Sequence, residues 1–420
     1  MDKTYSIDKL SEGLKAFQEC RWQDAIRLLG ELFTEDPSNI DIAGKLGFAL
    51  SQARELDRAI EIFKHISAIQ PDHNIWPYMI GYQFYIKGDW ARSIEWFDKA
   101  LNLNPDYIKV LYRKGYAQLR LGQREDALET LHYCIKVWEQ LPQAEQQADR
   151  KYYEKANFQL GKAYLSVGLS LKARRPLEVA VSFDGDDLDK RYELGKCLLQ
   201  NGDVDGAIEQ LSKANSLKAG VDYVLDWLAQ ALIAKGDLTK AEETYKMIPE
   251  HRRRAFVLKN MGALYLDLGQ PNKALPILKQ AVKRDHSSHN PYYLLGKALE
   301  ALNQKEAARQ AYSKAIDLKQ QHYGRDFPDA RERFTQLDSE LSRISTVTDT
   351  TNVNRDEHGV IGYYNAQRGF GFIASNSGEK VFFHITNIVG NVIPLEGSSV
   401  IFQYEDSDKG PKATRVELIS

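Results

Sequence analysis

The residues best equipped for chemistry lie near the end of the chain. Arg368-Gly369-Phe370-Gly371-Phe372-Ile373 is followed shortly by Val381-Phe382-Phe383-His384. Alternation along an extended strand sends Phe370 and Phe372 to one face. Rings exposed in this way stack on unpaired nucleobases, at roughly 1–3 kcal/mol per base and with little regard to sequence. Arg368 can meet a phosphate, and Gly369 and Gly371 leave the rings accessible. The same alternation also suits one buried face of a sheet, although a Phe-x-Phe flanked by glycines fits burial less well.

No catalytic constellation competes with this platform. His286 and His289 are three apart, but no acidic or cysteine partners stand in metal-ligand order. They are read as residues of a loop between repeats. Gly369-Phe370-Gly371 lacks the Lys-Ser/Thr of a phosphate loop, and no serine sits in a nucleophile elbow. No catalytic residue, metal site or cofactor is expected.

The elements that must position the rings are short β-type runs at 360–364, 371–374, 380–384, 399–404 and 413–418, separated by Gly, Asn and Ser clusters. Five such strands in about sixty residues point to a small barrel of the oligonucleotide-binding type. Residues 359–420 resemble cold-shock domains. Arg368 to Ile373 matches the family's Lys-Gly-Phe-Gly-Phe-Ile, and Val381 to His384 its Val-Phe-Val-His. Asp408-Lys409-Gly410-Pro411-Lys412-Ala413 matches its Lys-Gly-Pro-x-Ala segment, and Glu396-Gly397 falls in place. The resemblance implies that Phe370, Phe372, Phe382 and His384 share one surface, with Tyr363 in the place of a surface tryptophan, and that single-stranded RNA or DNA is the ligand. Gly362 stands where the family has lysine, Tyr363 and Tyr364 replace Trp and Phe, and Ile385 replaces an aromatic residue. Residues 359–420 hold five Lys/Arg against six Asp/Glu. Stacking should therefore outweigh phosphate charge, giving a shallow salt dependence.

The longer, preceding part follows a different period. A small residue recurs at Gly13, Gly47, Gly81, Gly115, Gly161, Gly195, Ala229, Gly262 and Gly296, at steps of 34 residues except one of 46 and one of 33. Another small residue lies twelve positions after each, as at Ala59, Ser93 and Ala127, and a larger apolar one four further on, as at Phe63, Phe97 and Leu131. A fixed period of this length marks a repeat of helical hairpins, and small residues let paired antiparallel helices approach. Proline closes the first three units at Pro37, Pro71 and Pro105. Gly88-Asp89, Gly202-Asp203 and Gly236-Asp237 supply turns.

This pattern resembles the tetratricopeptide repeat, most clearly in the third unit, which runs from Trp76 through Gly81 to Phe84, then Ser93, Phe97, Ala100 and Pro105. The expected fold is mostly α. Nine repeats span 6–320, with a twelve-residue insertion near 137–151 read as lengthened helices around an inter-repeat loop. A capping helix follows over 321–344, carrying Phe327, Ala330, Phe334, Leu337, Leu341 and Ile344. A flexible polar linker over 345–358 leads to the five-stranded all-β barrel at 359–420.

In this family the first helices of the pairs line a concave groove, at positions three before and one after the small residue. The resemblance places Tyr78, Tyr82, Tyr112, Tyr116, Phe158 and Tyr192 there, interleaved with Arg113, Lys162 and Lys196. These rings either pack within the repeats or form a groove for an extended peptide, with cations for its carboxylates. A nucleic-acid strand is a further use of such a groove. The run Arg252-Arg253-Arg254 is read as solvated surface.

With 56 Lys/Arg against 58 Asp/Glu, the net charge is −2. No bulk basic field drives nucleic-acid binding, so any such binding is local. No stretch has the apolar length of a leader or a membrane span. Cys20, Cys134 and Cys197 lie far apart, which favours packing roles and a reducing compartment, the cytoplasm by default. The expected function is a non-enzymatic adaptor, binding single-stranded RNA or DNA through the barrel and a protein or peptide through the groove. The alternative is a protein scaffold whose barrel has lost nucleic-acid binding.

Overall fold

The structure is a computed structural model that describes residues 3–351, 356–390, 392–407 and 410–419, with the side chains of 3–7, 344–351 and Asp406 outside that description. Among the described residues, eighteen α-helices form nine consecutive pairs, followed by one more helix and five strands. The pairs are α1 (Lys3–Gln18) with α2 (Trp22–Glu35), α3 (Ile40–Gln52) with α4 (Leu56–Ile69), α5 (Ile75–Lys87) with α6 (Trp90–Leu103), and α7 (Ile108–Leu121) with α8 (Arg124–Gln140). They continue as α9 (Gln143–Ser166) with α10 (Ser170–Phe183), α11 (Leu188–Gln200) with α12 (Val204–Leu217), and α13 (Asp222–Lys235) with α14 (Leu238–Lys246). Next in chain order come α15 (Ala255–Asp267) and α16 (Pro271–Arg284), and last α17 (His289–Ala301) with α18 (Lys305–Tyr323). The chain divides into two compact units, Met1–Leu264 and Tyr265–Ser420.

The period has a steric cause. A methyl group on Gly81 would come within 2.7 Å of the Phe97 ring, and Ser93 and Ala100 on the facing helix are fully buried. The large side chain of α6 thus occupies the space that the glycine of α5 leaves. The turn between the two helices is equally local. Gly88 takes φ +76°, and the Asp89 side chain accepts from the Arg92 N–H at 3.1 Å. A left-handed glycine ends one helix, and the next residue caps the orphan donors of the following one. Asp203 and Asp237 do the same for α12 and α14.

The insertion lengthens two helices. α8 has 17 residues and α9 has 24, joined only by Leu141 and Pro142. The added turns pack on each other, with the Trp138 and Tyr153 rings stacked at 3.8 Å and the Trp138 indole donating to the Gln146 carbonyl at 3.0 Å.

After α18, α19 (Pro328–Thr351) begins later and runs further than the expected capping helix of 321–344. Residues 321–323 still belong to α18. Ala330 and Leu337 are buried against Leu299, Ala308 and Tyr312, with Phe327 and Phe334 beside them. The side chain of Ile344 lies outside the described residues. The linker expected over 345–358 is shortened at both ends, because α19 reaches Thr351 and the first strand starts at Glu357. No Pro or Gly interrupts 345–351, so the helical ladder continues through its β-branched residues. Residues 352–355 lie outside the description.

The barrel is closed, in the order β1-β2-β3-β5-β4, from β1 (Glu357–Asn365), β2 (Phe370–Ser375), β3 (Lys380–His384), β4 (Ser399–Ser407) and β5 (Gly410–Leu418). Closure removes the unpaired edges of a small sheet. Ile361, Ile373, Val381, Phe383, Val400, Phe402, Ala413 and Val416 fill its interior.

Two readings of single residues need correction. Cys134 and Cys197 are buried, but Cys20 is exposed in the turn after α1 with φ +56°, so it has no packing role. His289 is not a loop residue. It begins α17, is buried, and sits against Tyr323 and Phe327 with ring centroids 5.4 Å away. Among the described residues no His, Cys, Asp and Glu cluster could hold a metal ion, and no helix is long and apolar enough to cross a membrane.

Candidate nucleic-acid and partner interfaces

On the barrel, Phe372 stands at the centre of the ring surface. It lies opposite Tyr363 on β1 and opposite Phe382 on β3, while Phe370 lies opposite His384. Ring centroids are 5.7 Å apart for Phe372 and Phe382, 5.9 Å for Phe370 and Phe382, and 6.5 Å for Tyr363 and Phe372. The three phenylalanines are half-buried and Tyr363 is 44% exposed. The structure therefore brings these four predicted residues into one partly exposed aromatic surface. His384 borders it. Its Nδ1 is held by the Thr386 hydroxyl at 2.9 Å. Arg368 is exposed in the β1–β2 turn, where its N–H donates to Asn365 at 3.1 Å.

Tyr363 reaches this surface through a β-bulge between Ile361 and Tyr363. Strict alternation from buried Ile361 would turn Tyr363 inward. The extra residue, Gly362, resets the phase. Tyr363 moves outward, and Tyr364 instead stacks on the core residue Phe383 at 6.0 Å. The glycines of the motif act differently from the accessibility expected of them. Gly369 is needed for its left-handed turn at φ +65°, and a methyl group on Gly371 would collide with the Tyr363 carbonyl and the Phe383 ring. Gly371 is thus a packing requirement of the barrel interior.

Sequence reasoning missed two cations of this surface. The Lys380 ammonium lies 4.4 Å from the centre of the Phe372 ring, and Lys412 pairs with Phe382 in the parallel β3–β5 ladder. Lys380 precedes Phe382 by two positions on one strand, which places them on the same face. Of the matched Asp408 to Ala413 segment, Asp408 and Lys409 lie outside the described residues.

On the repeats, the first helices of the third to fifth pairs carry a connected set of rings. Tyr78 contacts Tyr107 at 5.5 Å and Tyr82 at 6.0 Å, Tyr85 contacts Tyr116 at 5.8 Å, and Tyr112 contacts Tyr152 at 5.8 Å. Tyr78 and Tyr112, read from their positions as groove residues, are 2% and 9% exposed. Burial raises both hydroxyls well above the usual tyrosine range. Burial, then the neighbouring Tyr116, pushes Tyr85 up to about 12. Tyr85 and Trp90 belong to the set but fall outside the two positions counted from each glycine. The i, i+3 spacing of Tyr82 and Tyr85 was the available signal.

Cations cover these rings. The Arg113 guanidinium lies 3.8 Å from the Tyr82 ring centre and within 5.7 Å of Tyr78 and Tyr85. Lys109 lies over Tyr78 at 4.7 Å, Arg120 over Trp90 at 5.5 Å, and Lys151 over Tyr152 at 5.1 Å. Further on, Lys162 covers half-buried Phe158 at 5.2 Å.

The remaining predicted groove residues meet elsewhere. Lys162 and Tyr192 line a cleft of 650 Å³ with Asp226, Arg254 and Lys259. Lys196 pairs with Glu193 at 3.4 Å. Buried Asp226 accepts from Gln230, Tyr245 and Asn260 at 2.7–3.1 Å, while burial raises its carboxyl above the usual range. The arginine run beside it is not merely solvated surface: Arg254 forms two bonds to Asp222, at 2.5 and 3.0 Å, and Arg253 donates to the Ile248 carbonyl at 2.9 Å.

Comparison with known proteins agrees with this division. The model of the "cold-shock" DNA-binding domain matches residues 357–419. Tetratricopeptide-repeat models match 16–76, 81–122, 109–138, 198–257 and 260–323. The major cold shock protein of Streptococcus pyogenes serotype M18 is 37% identical over 64 residues, 15% of this chain and 96% of that protein. BBSome complex member BBS4 of Bos taurus is 23% identical over 303 residues, 70% of this chain and 48% of that protein. The chain spans half or less of the length of three other curated relatives it matches, BBS4 among them. A tetratricopeptide repeat protein of Parabacteroides merdae aligns with a TM-score of 0.48 at 18% identity, over 63% of this chain and 98% of that one.

Proposed function

We propose, for a chain that belongs to the tetratricopeptide-repeat proteins and ends in a cold-shock domain, that it is a non-enzymatic adaptor: the barrel holds single-stranded RNA or DNA, and the repeats hold a protein partner. One observation carries the nucleic-acid half, the four adjoining rings Tyr363, Phe370, Phe372 and Phe382 on one partly exposed face, with Lys380 and Lys412 beside them. Bases that leave their own stack regain contact on such rings, and nearby cations meet the phosphates between them. Three available cations, Arg368, Lys380 and Lys412, set a modest electrostatic share, with a slope of about −2 in log affinity against log salt at −0.7 per contact for a single strand.

The test is a titration of labelled single-stranded RNA and DNA into the full chain and into Phe370→Ala/Phe382→Ala. Micromolar or tighter binding by the parent, weakened at least tenfold by the double substitution, is the expected result. A folded parent chain that leaves both strands free at micromolar protein would favour a scaffold whose barrel has lost nucleic-acid binding.

A further inference from the structure

We propose that the ring-seated cations Lys109, Arg113, Arg120 and Lys151 form a docking surface for an acidic peptide segment rich in Asp and Glu. This rests on the reading that the repeats hold a protein partner, and specifies both the partner's chemistry and the part of the array it meets.

Each of the four is placed over an aromatic ring, and none forms an ion pair with a carboxylate among the described residues. A ring face attracts a cation through its quadrupole but neutralises none of its charge. The N–H donors at the guanidinium edge keep their need for acceptors. In Arg113 this need is explicit: Nη1 is buried and has no hydrogen-bond partner. That nitrogen is out of a ligand's reach, but it shows that the chain supplies this guanidinium with no acceptor there, and a carboxylate at the accessible part of the half-buried Arg113 would bring the charge partner it lacks. The positive charges also act on one another. Burial first, then Arg113 and Lys151, lowers the Lys109 ammonium, against which Asp149 acts from a distance without forming an ion pair.

The neighbouring stretch shows that this state is not general along the array. From α11 to α15 three cations are already compensated, Lys190 by Glu154 and Asp184, Lys196 by Glu193, and Arg254 by Asp222, and the cleft cations Lys162 and Lys259 share its lining with the carboxylates Asp189, Glu193 and Asp226. An acidic ligand there would displace existing pairs, whereas at Arg113 it would supply the first one. A nucleic-acid strand is disfavoured on the same face because Tyr78 and Tyr112 are buried and the Tyr82 ring is already covered, which leaves bases little beyond the half-buried Tyr107 and Tyr116 to stack on. An apolar peptide would have to desolvate several cations without neutralising them.

The experiment uses the full chain, with Phe370→Ala/Phe382→Ala as a second background in which the barrel is silenced. The probes are a fluorescein-labelled dodecapeptide of Asp, Glu and Gly, the same peptide with every acid replaced by its amide, and a single-stranded oligouridylate. The acidic peptide should bind both backgrounds equally, and the amide peptide should bind at least tenfold more weakly. Lys109→Gln/Arg113→Gln should weaken the acidic peptide at least tenfold. Arg120→Glu/Lys151→Glu, which changes only exposed side chains, serves the same purpose should the first pair disturb packing, with an unchanged melting temperature as control. Equal binding of the two peptides would leave a peptide-binding face and overturn its acidic preference. No peptide binding at all, or binding insensitive to both double variants, would overturn the surface itself. Oligouridylate bound to the silenced background and released by Lys109→Gln/Arg113→Gln would replace the peptide with nucleic acid. None of these outcomes bears on strand binding by the barrel, which is read in the parent chain.

Discussion

On the barrel, Tyr363 and three phenylalanines present partly exposed rings to solvent, with one ammonium over one of them. On α5 to α9 the ratio is reversed: the innermost tyrosines are buried, and four cations lie over the ring set. Both surfaces read in sequence as aromatic residues mixed with Lys and Arg. What separates them is which group takes the outer position. An outermost ring offers a flat apolar face and selects other flat groups. An outermost cation, held in place by the ring beneath, offers donors and charge and selects anions.

Four substitutions would break or sharpen this contrast. The largest effect is expected from Phe372→Ala, which removes the ring that links Tyr363, Phe370 and Phe382 and also seats Lys380. Strand binding should weaken roughly 5- to 150-fold, at about 1–3 kcal/mol for a lost stacking partner, with the acidic peptide unaffected; fluorescence anisotropy reads both. Next, Tyr82→Leu withdraws the ring nearest Arg113 while keeping an apolar side chain. A cation–ring contact of about 0.5–2 kcal/mol predicts roughly a 2- to 30-fold loss for the acidic peptide and none for RNA. An equal loss for both ligands would show that the two surfaces are not separate. Third, Gly362→Lys restores the lysine that cold-shock domains have at this position. A side chain there has space, since only the Phe372 carbonyl lies near an added methyl group, at 3.9 Å. RNA affinity should rise a few-fold, and the salt slope should steepen by about 0.7 for one added phosphate contact. The smallest effect is a pH dependence. Burial, with Arg113 and Lys151, lowers Lys109, so this ammonium loses its proton at a lower pH than an ordinary lysine. An anion favours the protonated form, so peptide affinity should decline with rising pH before the usual lysine range is reached. Lys109→Arg should move that decline to higher pH.

The helical period was fully legible because it has a local steric cause: Gly81 must face Phe97, and both keep their phase through the repeats. The barrel strands and their aromatic motif were legible for a similar reason, as alternation and turn residues act over a few positions. Three features were not. Position within a repeat identifies the helix face but not how far neighbouring hairpins cover it, which is why Tyr78 and Tyr112 were read as groove residues and are buried. A polar, breaker-free stretch such as 345–351 has no sequence signal that separates a helix end from a linker. Lastly, whether Arg113 or Arg254 finds a carboxylate depends on residues about one repeat away, which linear spacing does not reveal.

The bulge at Gly362 works as a change of reading frame within one strand. Before it, Gly359 and Ile361 face the interior while His358 and Val360 face outward. After it, Tyr363 is read in the frame of the surface. Substitutions on the two sides therefore answer to different constraints. Those at Gly359 and Ile361 are judged by how the barrel packs, and Tyr363 by what it meets outside. Inserting or deleting one residue at this point would exchange the roles of Tyr363 and Tyr364 while leaving the composition of the strand almost unchanged. A single residue of frame thus decides which of two adjacent tyrosines packs on Phe383 and which joins the outer rings.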